Sequence, residues 1–414
     1  MGGAKREWEA RMERGWSDSD ARICAECVTD YALKGAVRAQ EASDGGPCSS
    51  CEREMSAPFD ALLEAFVDGL NFLYDDALNS VSYVSSEGGF VGARTWDTWD
   101  LLEDYYDCFD DNVSDKIIEE LRARMDPKDW VDRDDPDYGP QALLDRAWVE
   151  FCSAIKHDTR FVFWLESSPD DAEGQASWDI PPASALHHVG NMIDELGLFK
   201  TYEKDHGFFR ARTFPPEIQA PSDAKSLGTP PSHVSLQGNR MSPAGIPMFY
   251  AGESEDVALD EVSVRTENRA ASVGKFASSN SFSVVDLTDI PPMPSPFDQE
   301  RRHKMWKISF LQSFVEKISE PIQKGRDQVD YVPTQVMTEY LLRIHWGREK
   351  VHGIRYPSAA HRGGQSVVLD VSSSDCLAPE DQEDPNRLQM RLVSRSLYDA
   401  DLTWNPRANE VRSA

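Results

Sequence analysis

The sequence predicts an α+β protein in three parts. These are a small zinc-binding element (1–55), an all-α middle domain (56–200) and a C-terminal α+β domain (201–404), followed by a short tail (405–414). Three observations lead there. Two Cys-x2-Cys pairs stand near the N-terminus. Apolar residues then recur at helical spacing. From Phe208 onward short alternating runs and turn residues take over.

The cysteine pairs are Cys24/Cys27 and Cys48/Cys51, with twenty residues between them. Each pair aims two thiolates at one point, and two facing pairs supply the tetrahedral all-sulfur set that Zn²⁺ prefers. A unit this small lacks the apolar area to fold alone, so a metal would stabilise it. Four thiolates leave no open coordination position, which makes the metal structural. A redox role is disfavoured because no βαβ unit surrounds either pair. Cys108, Cys152 and Cys376 read as ordinary thiols.

In the middle part, Ser56-Ala-Pro58 opens a helix whose stripe is Phe59, Leu62, Leu63, Phe66, Val67, Leu70 and Leu73. A second helix follows Thr95, with Trp96, Trp99, Leu102, Tyr106 and Phe109 on one side. A third follows Ser114, a fourth runs from about 142 to 161, and a fifth covers 183–198. Residues 126–140 and 166–182 read as loop and linker.

Charge narrows the function. The chain has 43 Lys+Arg against 72 Asp+Glu, a formal charge of −29. Duplex affinity comes largely from cations displacing counterions around phosphate, so the charge argues against general nucleic-acid binding and disfavours anionic membrane surfaces. Residues 96–145 hold 17 acids and 5 bases, a solvated face suited to a basic partner. No apolar run approaches membrane-span length, and residues 1–22 lack a signal-peptide core, so the expected location is the cytoplasm.

The C-terminal part carries the chemistry. Strands are expected at Phe208–Phe214, Ile246–Ala251, Phe282–Leu287, Gly353–Tyr356, Ser366–Val371 and Leu388–Val393. Helices are expected at Glu255–Val264, Arg301–Ile318 and Pro333–Trp346. Arg210, Arg240, Tyr250, Glu261 and Ser358 lie on or beside these elements. Together they suit a dinucleotide. Arginines clamp pyrophosphate, a tyrosine ring stacks on a flat base, and a carboxylate stabilises positive charge developing on a ribose. Dispersed Arg, Tyr and Glu also occur as surface ion pairs, so residue types alone leave both readings open.

The ordered run Arg210…Leu227-Gly-Thr-Pro-Pro231…Gly238-Asn-Arg240-Met-Ser-Pro-Ala-Gly245-Ile-Pro-Met-Phe-Tyr250…Ala258-Leu-Asp-Glu261, then Tyr331-Val-Pro-Thr-Gln335 and Gly353-Ile-Arg-Tyr-Pro-Ser358, resembles the RES-domain family over about 205–375. The upstream part resembles the paired-Cys and HEPN-like helical region that precedes some RES domains. The resemblance implies an ADP-ribosyltransferase-like fold and a toxin that consumes NAD⁺. By position it implies Arg210 and Arg240 on the phosphates, Tyr250 against nicotinamide or ribose, Glu261 on the ribose, and Ser358 orienting NAD⁺. Arg212 competes with Arg210 for the first role. The family's Gly-Gly-Arg-Trp-Asn is Gly238-Asn-Arg-Met-Ser242 here.

HEPN ribonucleases need an Arg followed four to six residues on by a His, and 56–200 contains no such pair, so the helical part reads as non-catalytic. The leading expectation is a toxin or phage-defence effector that cleaves the nicotinamide–ribose bond of NAD⁺, as a glycohydrolase or phosphorylase. Protein ADP-ribosylation and a non-enzymatic sensor or scaffold that keeps the fold are the alternatives. Zn²⁺ is the expected structural metal. An antitoxin or regulatory protein and a homo-oligomer are the partners left open.

Overall fold

The computed structural model describes residues 14–43, 45–84, 86, 89–134, 139–163, 182–215, 217–263, 270–320, 326–345, 350–398 and 407–408. The expected linker at 166–182 (Pro182 apart) and the expected tail at 405–414 (407–408 apart) lie outside them. Chain contacts divide the protein into two compact units, residues 1–143 with 292–309, and residues 144–291 with 310–414.

In the first unit, Asp30 caps the helix Tyr31–Arg38, its carboxylate accepting from Ala32 N and Leu33 N at 2.9 Å. The next helix begins later than its Pro58 suggests. Ala57–Pro58 pairs with Arg22–Ile23 as a two-stranded ribbon, and the helix runs Asp60–Leu73. Its Leu62, Leu63, Phe66, Val67 and Leu70 are buried, as the periodicity predicts.

The middle part is not all-α. Tyr74–Asp76, Asp129–Asp132 and Thr95–Asp97 form a three-stranded antiparallel sheet, and Ser82–Val84 pairs with Gly89–Val91. Trp96 stands opposite Trp130, so these aromatics are cross-strand partners and not one helix face. Only Thr98–Glu103 of the expected second helix is α-helical, and Trp99 is exposed. The spacing misled because aromatic residues three and four apart also fit a strand, a short helix and a turn in succession.

Residues 292–309 belong to this first unit, although by sequence they fall within the third part. Phe297 stacks on Phe66 with ring centroids 5.1 Å apart. Tyr31 donates its hydroxyl to Asp298 Oδ2 at 2.7 Å, and Arg302 Nη1 pairs with Asp68 Oδ2 at 2.6 Å. Gly69 makes room for the Phe297 ring, since a Cβ there would lie 2.2 Å from Phe297 Cδ1.

The second unit is built on a ten-stranded, mostly antiparallel sheet. Nine strands follow in spatial order: Cys376–Leu377, Met390–Tyr398, Ala270–Ser278, Gly207–Phe214, Phe249–Gly252, Gln365–Leu369, Val351–Pro357, Phe282–Asp286 and Phe199–Tyr202. Arg407–Ala408 pairs with Met390–Tyr398 off this path. Both faces are covered. Val368 packs with Trp148, Phe151, Phe310 and Phe314 from the helices, whereas Val367 and Leu369 pack with Phe208, Phe249 and Phe276 on the other side. The strand Ala270–Ser278 is not evident from the sequence, because its Ala, Ser and Gly residues carry little β signal. Among the described residues, no helix is long and apolar enough to cross a membrane.

A buried ion cluster joins the sheet's strands. Arg355 Nε donates to Glu253 Oε1 at 2.7 Å, and its Nη1 meets Asp286 Oδ2 at 2.8 Å. Gln365 and Thr288 also accept from Arg355, and Tyr202 donates to Glu253. Burial alone would push the Glu253 carboxyl up. Hydrogen bonds from Arg355 and Tyr202, with the Arg355 charge, reverse this and hold it below its ordinary value of 4.5.

Candidate functional site

The strands Gly207–Phe214 and Phe249–Gly252 are neighbours, but they pair only at Phe209 and Gly252. Beyond that point the sheet parts. A cleft of about 210 Å³ lies here, lined among others by Arg210, Asn239, Arg240, Tyr250, Glu261, Ser319 and Ser366.

Arg210 bridges the parting strands. Its Nη1 donates to the Tyr250 carbonyl at 2.5 Å, and its Nε to the Leu227 carbonyl at 2.9 Å and the Gly228 carbonyl at 3.2 Å. Its Nη2 has no partner among the described residues. Burial first, then the neighbouring Arg212 charge, bring its pKa down to about 10, so it stays a cation at neutral pH. Arg212 lies two residues along the same strand and donates to Gly228 O at 2.9 Å, but it does not line the cleft.

Arg240 is buried at the cleft wall. Its Nη1 and Nη2 donate to the carbonyls of Ile318 and Glu320, the latter at 2.9 Å, at the C-terminus of the helix Met305–Ser319. A cation there offsets the negative end of the helix dipole. The turn that carries Arg240 is fixed from below. Gln335 Nε2 donates to Asn239 O at 2.8 Å, and Thr334 Oγ1 donates to the Arg240 carbonyl. The Val332-Pro-Thr-Gln335 block thus holds the Gly238–Ser242 turn in place.

Tyr250 shares its hydroxyl with the same turn, donating to Ser242 Oγ at 3.0 Å and accepting from Met241 N at 3.1 Å. Opposite stands Glu261 on the helix Glu255–Ser263. Ser358 Oγ donates to Glu261 Oε1 at 2.6 Å, and Ser366 Oγ donates to the same atom at 3.2 Å. Ser358 is also the turn residue, since its Oγ accepts from His361 N at 3.1 Å and Ala360 N at 3.3 Å. Beside this pair, His361 Nδ1 lies 2.6 Å from Asp260 Oδ2.

The structure therefore brings Arg210, Arg240, Tyr250 and Glu261 to one cleft and ties Ser358 to Glu261. Sequence reasoning missed Ser366, Asn239 and Ser319. Ser366 reaches the site through strand register, since Tyr356 and Ser366 face each other across the hairpin whose first strand leads into Ser358, and that register is not visible in the sequence.

Residues 215–390 match the RES domain, and residues 41–169 match HEPN/RES N-terminal domain 1. The chain thus carries a RES domain preceded by a HEPN/RES-type N-terminal domain. No curated protein and no solved structure matches it. The RES segment contains Arg240, Tyr250, Glu261 and Ser358, while Arg210 precedes the matched residues.

Away from the RES domain, Cys24, Cys27, Cys48 and Cys51 form a metal-ligand set with all sulfurs within 4.8 Å of one another. Cys24 Sγ lies 3.5 Å from Cys27 Sγ and 3.4 Å from Cys51 Sγ, and Cys27 Sγ lies 3.8 Å from Cys48 Sγ. Tetrahedral thiolates at about 2.3 Å from a zinc ion would sit about 3.8 Å apart, so the set fits. Burial and the Cys51 contact push the Cys24 thiol up to about 11, so four thiolates this close need a compensating cation.

Proposed function

We propose that the RES domain uses NAD⁺ and cleaves its nicotinamide–ribose bond. The observation that carries this is the Glu261 carboxylate, held by two serine hydroxyls in the cleft where the Gly207–Phe214 and Phe249–Gly252 strands part. The RES-domain match over residues 215–390 supports the same substrate.

In this reading the bond from ribose C1′ to the pyridinium nitrogen breaks, and its electron pair leaves with nicotinamide, now neutral. Glu261 stabilises the positive charge left on the ribose. Water adds to C1′, loses a proton to solvent, and gives ADP-ribose. Phosphate or a protein side chain at that point would give phosphorolysis or ADP-ribosylation. Arg210 meets the pyrophosphate through Nη2, while its other bonds fix its plane. Arg240 contributes positive potential from the wall, and Tyr250 offers its ring to the nicotinamide or ribose. Ser358 orients Glu261 and, through it, the NAD⁺.

The four-cysteine set takes Zn²⁺ as a structural ion in the element at 1–55. The mixed helical and stranded region from 56 to 200 regulates the RES domain at 201–404, and the whole acts as a cytoplasmic toxin or phage-defence effector restrained by an antitoxin or a regulatory protein. The test is to incubate purified protein with NAD⁺ and identify the products. Free nicotinamide with ADP-ribose, in excess over protein, supports hydrolysis. Label retained on protein supports transfer. Intact NAD⁺ under all conditions overturns the reading.

A further inference from the structure

The cleft is lined by two chemically different sets of residues, and one of them has no assigned ligand. Ser319 ends the helix Met305–Ser319 and lines the cleft, yet its buried Oγ has no hydrogen-bond partner among the described residues. A buried hydroxyl left unpaired costs roughly 1–3 kcal/mol, so such a group needs a partner. Asn239 lines the same cleft. Its main chain is bonded to Ser242 and Gln335, but its side-chain amide makes no hydrogen bond among the described residues.

The electrostatics of this set select the ligand group. The helix C-terminus presents the carbonyls of Ile318 and Glu320, and Arg240 is already bonded to both. The carbonyls and the arginine satisfy one another, so neither is left to bind a phosphate beside Ser319. What remains is the uncharged Ser319 hydroxyl and Asn239 amide, which suit a neutral group that both donates and accepts, such as a carboxamide. The other set offers the opposite, with Arg210 Nη2 unpartnered among the described residues and Arg212 nearby.

We propose that Ser319 and Asn239 form the specificity subsite for the carboxamide of the pyridinium ring. The Ser319 hydroxyl turns by one staggered χ1 step to bond the amide, and the Asn239 side chain pairs with its other polar atom. This rests on the NAD⁺ reading above. It divides the cleft lining into an amide set at Ser319 and a phosphate set at Arg210.

The experiment compares NAD⁺ with pyridine adenine dinucleotide, which lacks the carboxamide, on wild type, Ser319→Ala and Ser319→Thr. For NAD⁺, Ser319→Ala should lower kcat/KM roughly threefold to tenfold, the effect of one uncharged hydrogen bond. For pyridine adenine dinucleotide the same substitution should change nothing, because the variant removes a bond that ligand cannot make. Ser319→Thr keeps the hydroxyl and should retain the preference for NAD⁺. Asn239→Ala should show the same pattern as Ser319→Ala. Equal losses on both dinucleotides, or no loss on NAD⁺, overturn the subsite while leaving NAD⁺ cleavage intact. A wild type that neither binds nor consumes NAD⁺ overturns the underlying reading and the subsite with it. Thermal melts of each variant separate a folding defect from a lost contact.

Discussion

Ser358 Oγ donates to Glu261 Oε1 at 2.6 Å, linking the hairpin Val351–Leu369 to the helix Glu255–Ser263. The same hydroxyl accepts two main-chain N–H groups of its own turn. The serine therefore sets both the turn and the orientation of the carboxylate. A hydrogen bond to a charged group is worth about 1.5–3 kcal/mol. Ser358→Ala should lower kcat for NAD⁺ cleavage roughly 10- to 100-fold, with Ser366→Ala costing less. Steady-state kinetics on the two variants check the ranking.

Arg210 should prove hard to replace by lysine. Its guanidinium reaches three carbonyls through Nε and Nη1 and leaves Nη2 without a partner among the described residues. An ammonium cannot span those positions. Arg210→Lys should raise KM for NAD⁺ at least about tenfold, and Arg212→Lys should change it much less. Binding calorimetry with NAD⁺ checks both, and equal losses would move the phosphate role to Arg212.

The four-cysteine set is expected to make the first unit metal-dependent. Cys24, Cys27 and Cys48 belong to the same buried core as Phe66 and Leu63, so loss of the ion should loosen that core. Metal analysis should find one zinc per chain. Cys27→Ser or a strong chelator should lower the melting temperature of the first unit. A chain free of metal with an unchanged melt would contradict this.

Acid should act through the Arg355 cluster. Glu253 titrates below its ordinary 4.5 in the folded protein. Its stabilising contribution is complete above that value and is lost as pH falls through the lower folded value. Arg355→Met would leave Glu253 and Asp286 buried without their partner, at a cost of roughly 3–5 kcal/mol at neutral pH. Burial would then raise the Glu253 carboxyl, so the acid transition of the variant should move to higher pH. Denaturant melts at pH 7 and at pH 4 measure both effects.

Much of this site was legible because its chemistry lies in residue type and order. Arg210, Arg240, Tyr250 and Glu261 could be named from the chain, and they meet at one cleft. What could not be read was the use each group makes of its neighbours. Nothing in the sequence says that Arg240 would face the carbonyls of a helix seventy-eight residues away, or that Ser319 would end without a partner among the described residues. Those facts depend on where two distant segments cross. The middle region failed for a different reason. Trp96 and Trp130 oppose each other across two strands, and their spacing along the chain carries no trace of that register. Phe297 shows the same limit, since its place beside Phe66 follows from long-range packing that local pattern does not encode.

The most direct test is nicotinamide release from NAD⁺ by the full chain and by Glu261→Ala at equal protein concentration. Release is expected from the wild type, with a loss of at least about a hundredfold in the variant and the variant's melting temperature close to wild type. Equal release by both proteins, or none by the wild type, would contradict this expectation.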